Sequence, residues 1–526
     1  MTKIHKKIFI AINLSLGIMG VMFSVLQISG GVELYGVTEQ VDTIPFEFRT
    51  LYNGEWQSQF TTKYHNNFPL RAFMVRTNNQ LLYQMGAMIN GSIVVGNDGY
   101  LFSDEYICNA FTNISDDTRK QIDEYVEKLI ECQKILNVHQ KELVYIITPS
   151  KVELCAEFLP ERYKALVAQR AEITNNYDYL AYKLEQANIR MLDMTQILKR
   201  AEQEYPYFCK TGTHWNLYAA AIGAKELLKV LGNTVNSFEI TFSEKPFETE
   251  KDLYCLSNIW KGKEENLYYK GVLDIEGNID RRTVLEMGTS FSNEMVTELL
   301  NKDSEMLFDN YIRYQYFTMK STYFGDQIKT ETFIESEDLI DEICGADIIL
   351  IENNNSYVPD SHIQFAQYII DNGDIIKTRK EILEPIIFEN DTFIIDFSQK
   401  GNSSEYVKTG FYDEEETGRW SRANTKIELY LNADSDIRID FSNNYFCEKT
   451  QIMFNDCLLW DSEKDSVEQL TDIVIPENII RSDGGNYLQV FTSKEILSPK
   501  AQGIGEDDRK LAQFWNKLII RRGDKK

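Results

Sequence analysis

The sequence predicts an α/β body with a doubly wound parallel sheet, a carboxy-terminal all-β sandwich and one amino-terminal transmembrane helix. Three observations lead there. Between about residues 90 and 390, apolar strand-like runs alternate with helical runs. From Phe393 onward the helical runs stop and short alternating strands take over. Residues 8–32 carry no charged side chain and are mostly apolar. At 526 residues the chain is also longer than one usual domain.

The amino-terminal run comes first in chain order. Ile8–Ser29 would make a helix of about 33 Å at ~1.5 Å per residue, matching a bilayer core of ~30 Å. Its flanking positive charges, Lys3, Lys6 and Lys7, precede it, so the amino terminus is expected in the cytoplasm and the main body outside. The competing reading is a cleaved signal peptide, but the run is longer than a signal core of about 7–15 residues. Both readings export the rest of the chain. Residues 33–90 read as a mixed entry segment, and Ile93–Phe102 as a turn-rich strand signal.

Ser115 is a good N-cap, with Asp116 and Asp117 in the first turn of a helix whose apolar face is Ile122, Tyr125, Val126, Leu129, Cys132 and Leu136. Buried strands are expected at 143–148, 189–193, 284–287 and 347–352. Helices are expected at 216–231, stopped by Gly232, and near 363–370. In the sandwich, strands are expected at 425–431, 436–441, 451–454, 473–475, 487–491 and 518–521. Turn signals at 432–434 and 483–485 separate them. The expected division is 1–32 (cytoplasmic stub and anchor), 33–395 (α/β) and 396–526 (sandwich).

Composition narrows function. Lys and Arg number 55 against 81 Asp and Glu, a net −26; residues 1–32 contribute +3, so the rest sums to −29. Nucleic-acid binding needs a basic footprint and is not expected. The eight cysteines show no zinc-knuckle spacing and read as separately buried thiols; Cys447 and Cys457 are the one pair considered for a disulfide. Five histidines make a multi-histidine metal site unexpected, and neither metal nor cofactor is called for.

Two segments could carry chemistry. Gly212-Thr213-His214-Trp215-Asn216 places a histidine just before a helix, where loops of α/β sheets present functional groups. Gly288-Thr289-Ser290-Phe291-Ser292 follows a buried strand, where a serine hydroxyl can be exposed and the backbone N–H of Ser290 can face a developing oxyanion. Serine needs a base, and histidine is the usual one. The bland readings are a chance Gly-Thr-Ser turn and a capping or packed histidine.

With Phe68-Pro69-Leu70-Arg71, Gly96–Phe102, Thr148-Pro149-Ser150-Lys151 and Leu159-Pro160, these two segments occur in the order of a known family. Over about residues 45–390 the chain resembles the alginate O-acetyltransferase type of SGNH-hydrolase-like proteins, which acetylate exopolysaccharides outside the cytoplasmic membrane. The histidine precedes the serine, so the fold implied is SGNH-hydrolase-like with permuted motif order.

The resemblance implies Ser290 as nucleophile and His214 as base. It also implies an orienting aspartate two residues before the histidine, where this chain has Gly212. Asp193 and Glu286, near the motif strands, are the candidate replacements. Substrate contact is assigned to Trp215 and Arg71, with a structural salt bridge as the other use of Arg71. The implied partners are a polysaccharide and a membrane-bound acyltransferase supplying acetyl groups.

Gly410-Phe411-Tyr412, Gly418-Arg419-Trp420-Ser421 and Gly505–Leu511 resemble an accessory carbohydrate-binding module. Tyr412 and Trp420 would stack on sugars there, unless Trp420 fills the sandwich core. Two further functions stay open: a carbohydrate acetyl esterase, and a noncatalytic polysaccharide-binding or assembly factor, which Gly212 favours.

Overall fold

The computed structural model describes most of residues 47–523. Before residue 47 only Lys7, Ile10, Leu14, Ser15 and 34–36 are described; later gaps include 67–70, 275–281, 301–307, 333–337 and 378–384. The anchor expected at residues 8–32, Phe68-Pro69-Leu70, and the turn residues 432–434, 483 and 484 therefore lie wholly or almost wholly outside the described residues. Among the described residues, no helix is long and apolar enough to cross a membrane.

The strands of the α/β part are β1 Ile93–Val95, β2 Leu101–Ser103, β3 Glu142–Thr148, β4 Met191–Asp193, β5 Ser237–Ser243, β6 Tyr268–Asp274, β7 Thr283–Gly288, β8 Asn310–Gln315, β9 Met319–Phe324, β10 Gln327–Thr332 and β11 Ile348–Asn354. Seven of them form one sheet in the order β10-β9-β8-β7-β11-β3-β4. From β8 to β4 neighbours run parallel, whereas β9 and β10 join antiparallel at one edge. The wholly parallel sheet of the sequence reading is thus corrected to a mixed one. Strands β8–β10 escaped notice because they hold no continuous apolar run, which an antiparallel edge does not need.

Alternate residues of the parallel strands feed two cores, one on each face. Val144, Ile146, Val284, Ile348 and Leu350 pack with helices Met194–Arg200 and Leu217–Val230. Leu143, Tyr145, Ile147, Leu285, Met287, Ile349 and Ile351 pack with helices Asp116–Val138, Asn176–Gln186, Asp338–Gly345 and Asp360–Asp371. This is why the strands read as unbroken apolar runs: both faces are covered. The cap expected at Ser115 holds, and Asn216, expected as the first residue of its helix, is that helix's N-cap. Ser115 accepts from the Thr118 N–H, and Asn216 accepts from the Ala219 N–H at 2.9 Å. The described part of the entry segment is mainly helical, with helices Phe48–Tyr52, Glu55–Asn66 and Arg71–Gln84.

The carboxy-terminal strands are β12 Thr392–Asp396, β13 Val407–Glu415, β14 Gly418–Leu429, β15 Ile437–Asp440, β16 Thr450–Phe454, β17 Cys457–Asp461, β18 Ile473–Ile475, β19 Asn486–Thr492, β20 Gln513–Trp515 and β21 Lys517–Arg522. They form two sheets, β12-β21-β15-β18 and β13-β14-β19-β16-β17, with β20 paired to β14. Between them lies a core that contains Trp515, Phe397, Phe441, Ile452 and Val490. Because β12 and Ile386 already belong to this unit, it begins ahead of residue 396. Cys447 is buried and Cys457 exposed, and the pair is not bonded.

Candidate active site

The carboxyl ends of β3, β7 and β11 meet at the middle of the large sheet, where chain order reverses and α/β proteins place their sites. Strand β7 delivers Gly288, Thr289 and Ser290. Gly288 has no room for a side chain, because a Cβ would press into the Glu286 carboxylate and the Ser292 hydroxyl. Thr289 is held from β11: its N–H and hydroxyl both donate to Glu352 Oε2, at 2.7 and 2.8 Å. Glu352 Oε1 accepts from the Thr148 hydroxyl on β3. Burial raises the Glu352 carboxyl to about 7, against those hydrogen bonds. The Ser290 N–H takes no backbone acceptor among the described residues and makes one long contact, 3.4 Å, to the Tyr316 hydroxyl.

His214 arrives from the other side of the site. Lys151, buried at the end of β3, donates through Nζ to the carbonyls of Leu101, Lys210 and Gly212 at 2.8–2.9 Å. Burial lowers its ammonium to about 8. His214 Nε2 lies 3.0 Å from Ser290 Oγ, so the two candidate groups stand in hydrogen-bonding contact. The two loops are also bolted together, since Trp215 Nε1 donates to the Phe291 carbonyl at 2.8 Å.

The group facing the inner nitrogen is one the sequence reading missed. Asp252 Oδ2 lies 3.1 Å from His214 Nδ1, within ion-pair reach, although Nδ1 has no partner in hydrogen-bonding geometry. Asp252 opens the short helix Asp252–Ser257. Its Oδ1 accepts the N–H of Thr213 at 2.7 Å and of Leu253 at 2.6 Å. Further bonds zip this segment to the histidine loop: Thr211 Oγ1 to the Glu250 carbonyl, and the Tyr254 N–H to the Thr211 carbonyl. The close approach explains Gly212, where a Cβ would sit 2.9 Å from the Glu250 carbonyl oxygen. The carboxylate and the vacated position are therefore one feature. No spacing signal links Asp252 to His214, which is why the sequence did not point to it.

Asp193 and Glu286, proposed from sequence as orienting acids, are corrected. Asp193 caps helix Met194–Arg200 through the Gln196 N–H and accepts from Tyr177 at 2.8 Å. Glu286 is fully buried with Arg313 and accepts from Tyr311 at 2.5 Å. Arg313 in turn donates to Ser292 and to the Thr289 carbonyl, so this pair braces the serine turn from below. Burial opposes protonation of His214, but the carboxylates of Glu294, Asp252 and Glu352 outweigh it and raise the imidazole above its ordinary value. Glu294 is itself buried and raised for that reason, with Thr249 donating to it.

Of the residues assigned to substrate contact, Trp215 is corrected: it is completely buried, and its ring fills the space over Gly223. Arg71 opens helix Arg71–Gln84 and makes no hydrogen bond to Ser290, His214 or Asp252. Tyr412 exchanges hydrogen bonds with the Lys510 backbone, and the guanidinium groups of Arg422 and Arg509 lie over its ring at 5.0 and 5.4 Å. Trp420 stays outside the sandwich core, which Trp515 occupies. It is half-buried against Phe514 and the exposed Tyr445.

Residues 93–253 match the family model described as "SGNH hydrolase-like domain, acetyltransferase AlgX", a span containing His214 and Asp252 and ending short of Ser290. The chain is 24% identical over 258 residues to a probable alginate O-acetylase AlgJ of Pseudomonas syringae pv. tomato, covering 49% of this chain and 56% of that one. It is 27% identical over 189 residues to a probable alginate O-acetylase AlgJ of Pseudomonas fluorescens, covering 35% and 44%. The chain spans about half the length of the curated relatives it matches. Among solved structures, AlgX of Pseudomonas aeruginosa aligns at 15% identity with a TM-score of 0.36, covering 82% of this chain and 94% of that one. The chain resembles the alginate O-acetyltransferase-type, SGNH-hydrolase-like proteins.

Proposed function

We propose that this chain is a membrane-anchored, exported O-acetyltransferase that takes an acetyl group onto Ser290 and passes it to hydroxyls of a surface polysaccharide. The observation that carries the reading is the line Ser290–His214–Asp252, with contacts of 3.0 and 3.1 Å. His214 Nε2 accepts the Ser290 proton as Oγ attacks the acetyl carbonyl, and Asp252 stabilises the imidazolium that forms. The imidazolium then protonates the leaving group. In the second half, His214 takes the proton of a sugar hydroxyl as its oxygen attacks the acetyl-serine carbonyl, and the imidazolium returns that proton to Oγ as the bond to Ser290 breaks. The Ser290 N–H is the first oxyanion donor, and the Tyr316 hydroxyl beside it is the second.

The relatives named as alginate O-acetylases support a polysaccharide acceptor. The expected acetyl source is a membrane-bound acyltransferase, and the apolar run at 8–32 would hold the body outside the membrane beside it. Trp420, with Tyr445 and Phe514, offers the sandwich a partly open aromatic face for a sugar ring. Gly212 had favoured a noncatalytic reading, and Asp252 beside His214 takes that support away. Intact-mass spectrometry after incubation with a chromogenic acetyl ester tests the proposal. One acetyl group is expected on the parent and none on Ser290→Ala. Equal ester turnover by the two proteins would sink the serine assignment, and release only to water in the presence of oligosaccharide would identify an esterase.

A further inference from the structure

Lys151 opens the short helix Lys151–Leu154 just past β3 and is 4% exposed. A buried ammonium is costly unless it is paired or hydrogen-bonded. Among the described residues Lys151 forms no ion pair. Its Nζ is met by three carbonyls, those of Leu101, Lys210 and Gly212, and lies 5.3 and 5.4 Å from the Tyr100 and Phe102 rings. Two of the carbonyls flank Thr211, on the loop that delivers His214. The carbonyl between them, on Thr211, accepts from the Tyr254 N–H of the Asp252 segment, and the Thr213 N–H donates to Asp252 itself. Alternate carbonyls of the histidine loop are therefore held by two different partners. The Leu101 N–H adds a third tie, to the Lys210 carbonyl at 2.8 Å.

The number of donors decides which charge state fits this cradle. An ammonium has three N–H groups and no lone pair, one N–H for each carbonyl. A neutral amine has two and turns its lone pair on the third carbonyl oxygen. The titratable groups around Nζ are Cys155, Cys209, Glu265 and Asp252, with the Tyr100 ring beside it. Burial lowers the ammonium to about 8 although those four groups favour the charge. Burial also pushes both thiols and the Tyr100 hydroxyl up, so they stay neutral where Lys151 ionises. Glu265 is raised by burial as well.

We propose that Lys151 is a clasp on the histidine loop: its three N–H bonds hold the 210–212 backbone, and through it keep His214 in line with Ser290, so that loss of the Lys151 proton frees the base to drift. Lys151 bonds none of the reacting groups and acts as a positioning residue. Its effect on rate rests on the acetyl-transfer reading above, whereas its effect on the loop does not. Ionisation of Lys151 does not itself unfold the chain. Its folded value of about 8 lies below the ordinary 10.5, so its contribution to stability grows as pH rises from about 8 to 10.5. The rate should fall in that window, whereas a lysine serving only the fold would leave it flat.

The test uses the full chain and two readouts between pH 7 and 9.5. One is the single-turnover rate of Ser290 acetylation by a saturating chromogenic ester. The other is amide exchange over residues 207–216, corrected for the intrinsic rate at each pH. In the parent the rate should fall about tenfold from pH 7.5 to 9, as one group ionising at about 8 requires. Loop exchange should quicken over the same interval with near-UV circular dichroism unchanged. Lys151→Met should acetylate about 10²-fold more slowly at pH 7.5, the scale of a base displaced by ~1 Å, with half-saturation by ester within about twofold of the parent. It should show no further fall to pH 9, and its loop should exchange fast throughout. If Lys151→Met does not fold, the two parent profiles decide. The proposal is overturned by a parent acetylated at a flat rate through pH 9.5, by loop exchange that ignores pH, or by a folded Lys151→Met that keeps the alkaline fall or stays within about threefold of the parent. If the parent takes no acetyl group on Ser290, the acetyl-transfer reading fails and exchange alone scores the clasp.

Discussion

Replacing Asp252 with Asn tests the reconstructed triad most directly. At an effective dielectric near 20, two unit charges at the observed 3.1 Å attract by about 5 kcal/mol, or about 10³- to 10⁴-fold in rate if realised only when His214 is protonated. Glu294 remains nearby and keeps part of that stabilisation, so a loss of about 10³-fold is expected. The substitution is close to isosteric. The amide oxygen can still accept the N–H groups of Thr213 and Leu253, so the histidine loop should stay in place. Its NH₂ would then face Nδ1 and favour the tautomer with the proton on Nε2, which cannot accept the serine proton. The assay is the pre-steady-state rate of Ser290 acetylation by a chromogenic ester as a function of pH. The rate should fall about 10³-fold, and its limb for histidine ionisation should move to lower pH. Asp193→Asn should stay within about threefold of the parent, because Asp193 serves a helix cap and Tyr177. A loss below about tenfold for Asp252→Asn, or an equal loss for Asp193→Asn, would refute the assignment.

Trp215→Phe leaves the buried Phe291 carbonyl without its donor and should cost about 1–3 kcal/mol in denaturant unfolding. It should lower kcat with KM unchanged, since a buried ring touches no substrate; a rise in KM alone would restore Trp215 to the binding surface. Gly212→Asp should not rescue Asp252→Asn, and should destabilise by about 1–3 kcal/mol as its Cβ meets the Glu250 backbone. Glu352→Gln should change the pH dependence of Tm. The folded carboxyl sits at about 7 against an ordinary 4.5, so its contribution is full below pH 4.5 and is lost as pH rises through about 7. That interval amounts to about 3 kcal/mol at 1.36 kcal/mol per pH unit. The variant should therefore decline less than the parent between pH 5 and about 7, with Glu250, also raised to about 7 by burial, supplying the remaining slope. An unchanged slope would refute the assignment to Glu352.

Local pattern carried much of this protein. The apolar runs of β3, β7 and β11 were legible because both faces of the sheet are covered, and the helices after Ser115 and Asn216 because cap and apolar face coincide in sequence. Ser290 and His214 were legible as residue types at strand and helix ends, and the structure brings them to 3.0 Å.

By itself the sequence determined the alternation of strands and helices, the change to a sandwich near residue 390, the uncharged amino-terminal run and the serine–histidine pair. All of these are set by neighbours along the chain, through side-chain periodicity, capping and turn chemistry. Tertiary structure alone decided which acid faces His214. Asp193 and Glu286 lie near the motif strands yet are committed to a cap and to Arg313, whereas Asp252 comes from a segment laid against Gly212 by long-range hydrogen bonds. A carboxylate acts on an imidazole over about 3 Å of space, and that distance depends on how loops pack, which no spacing in the chain records.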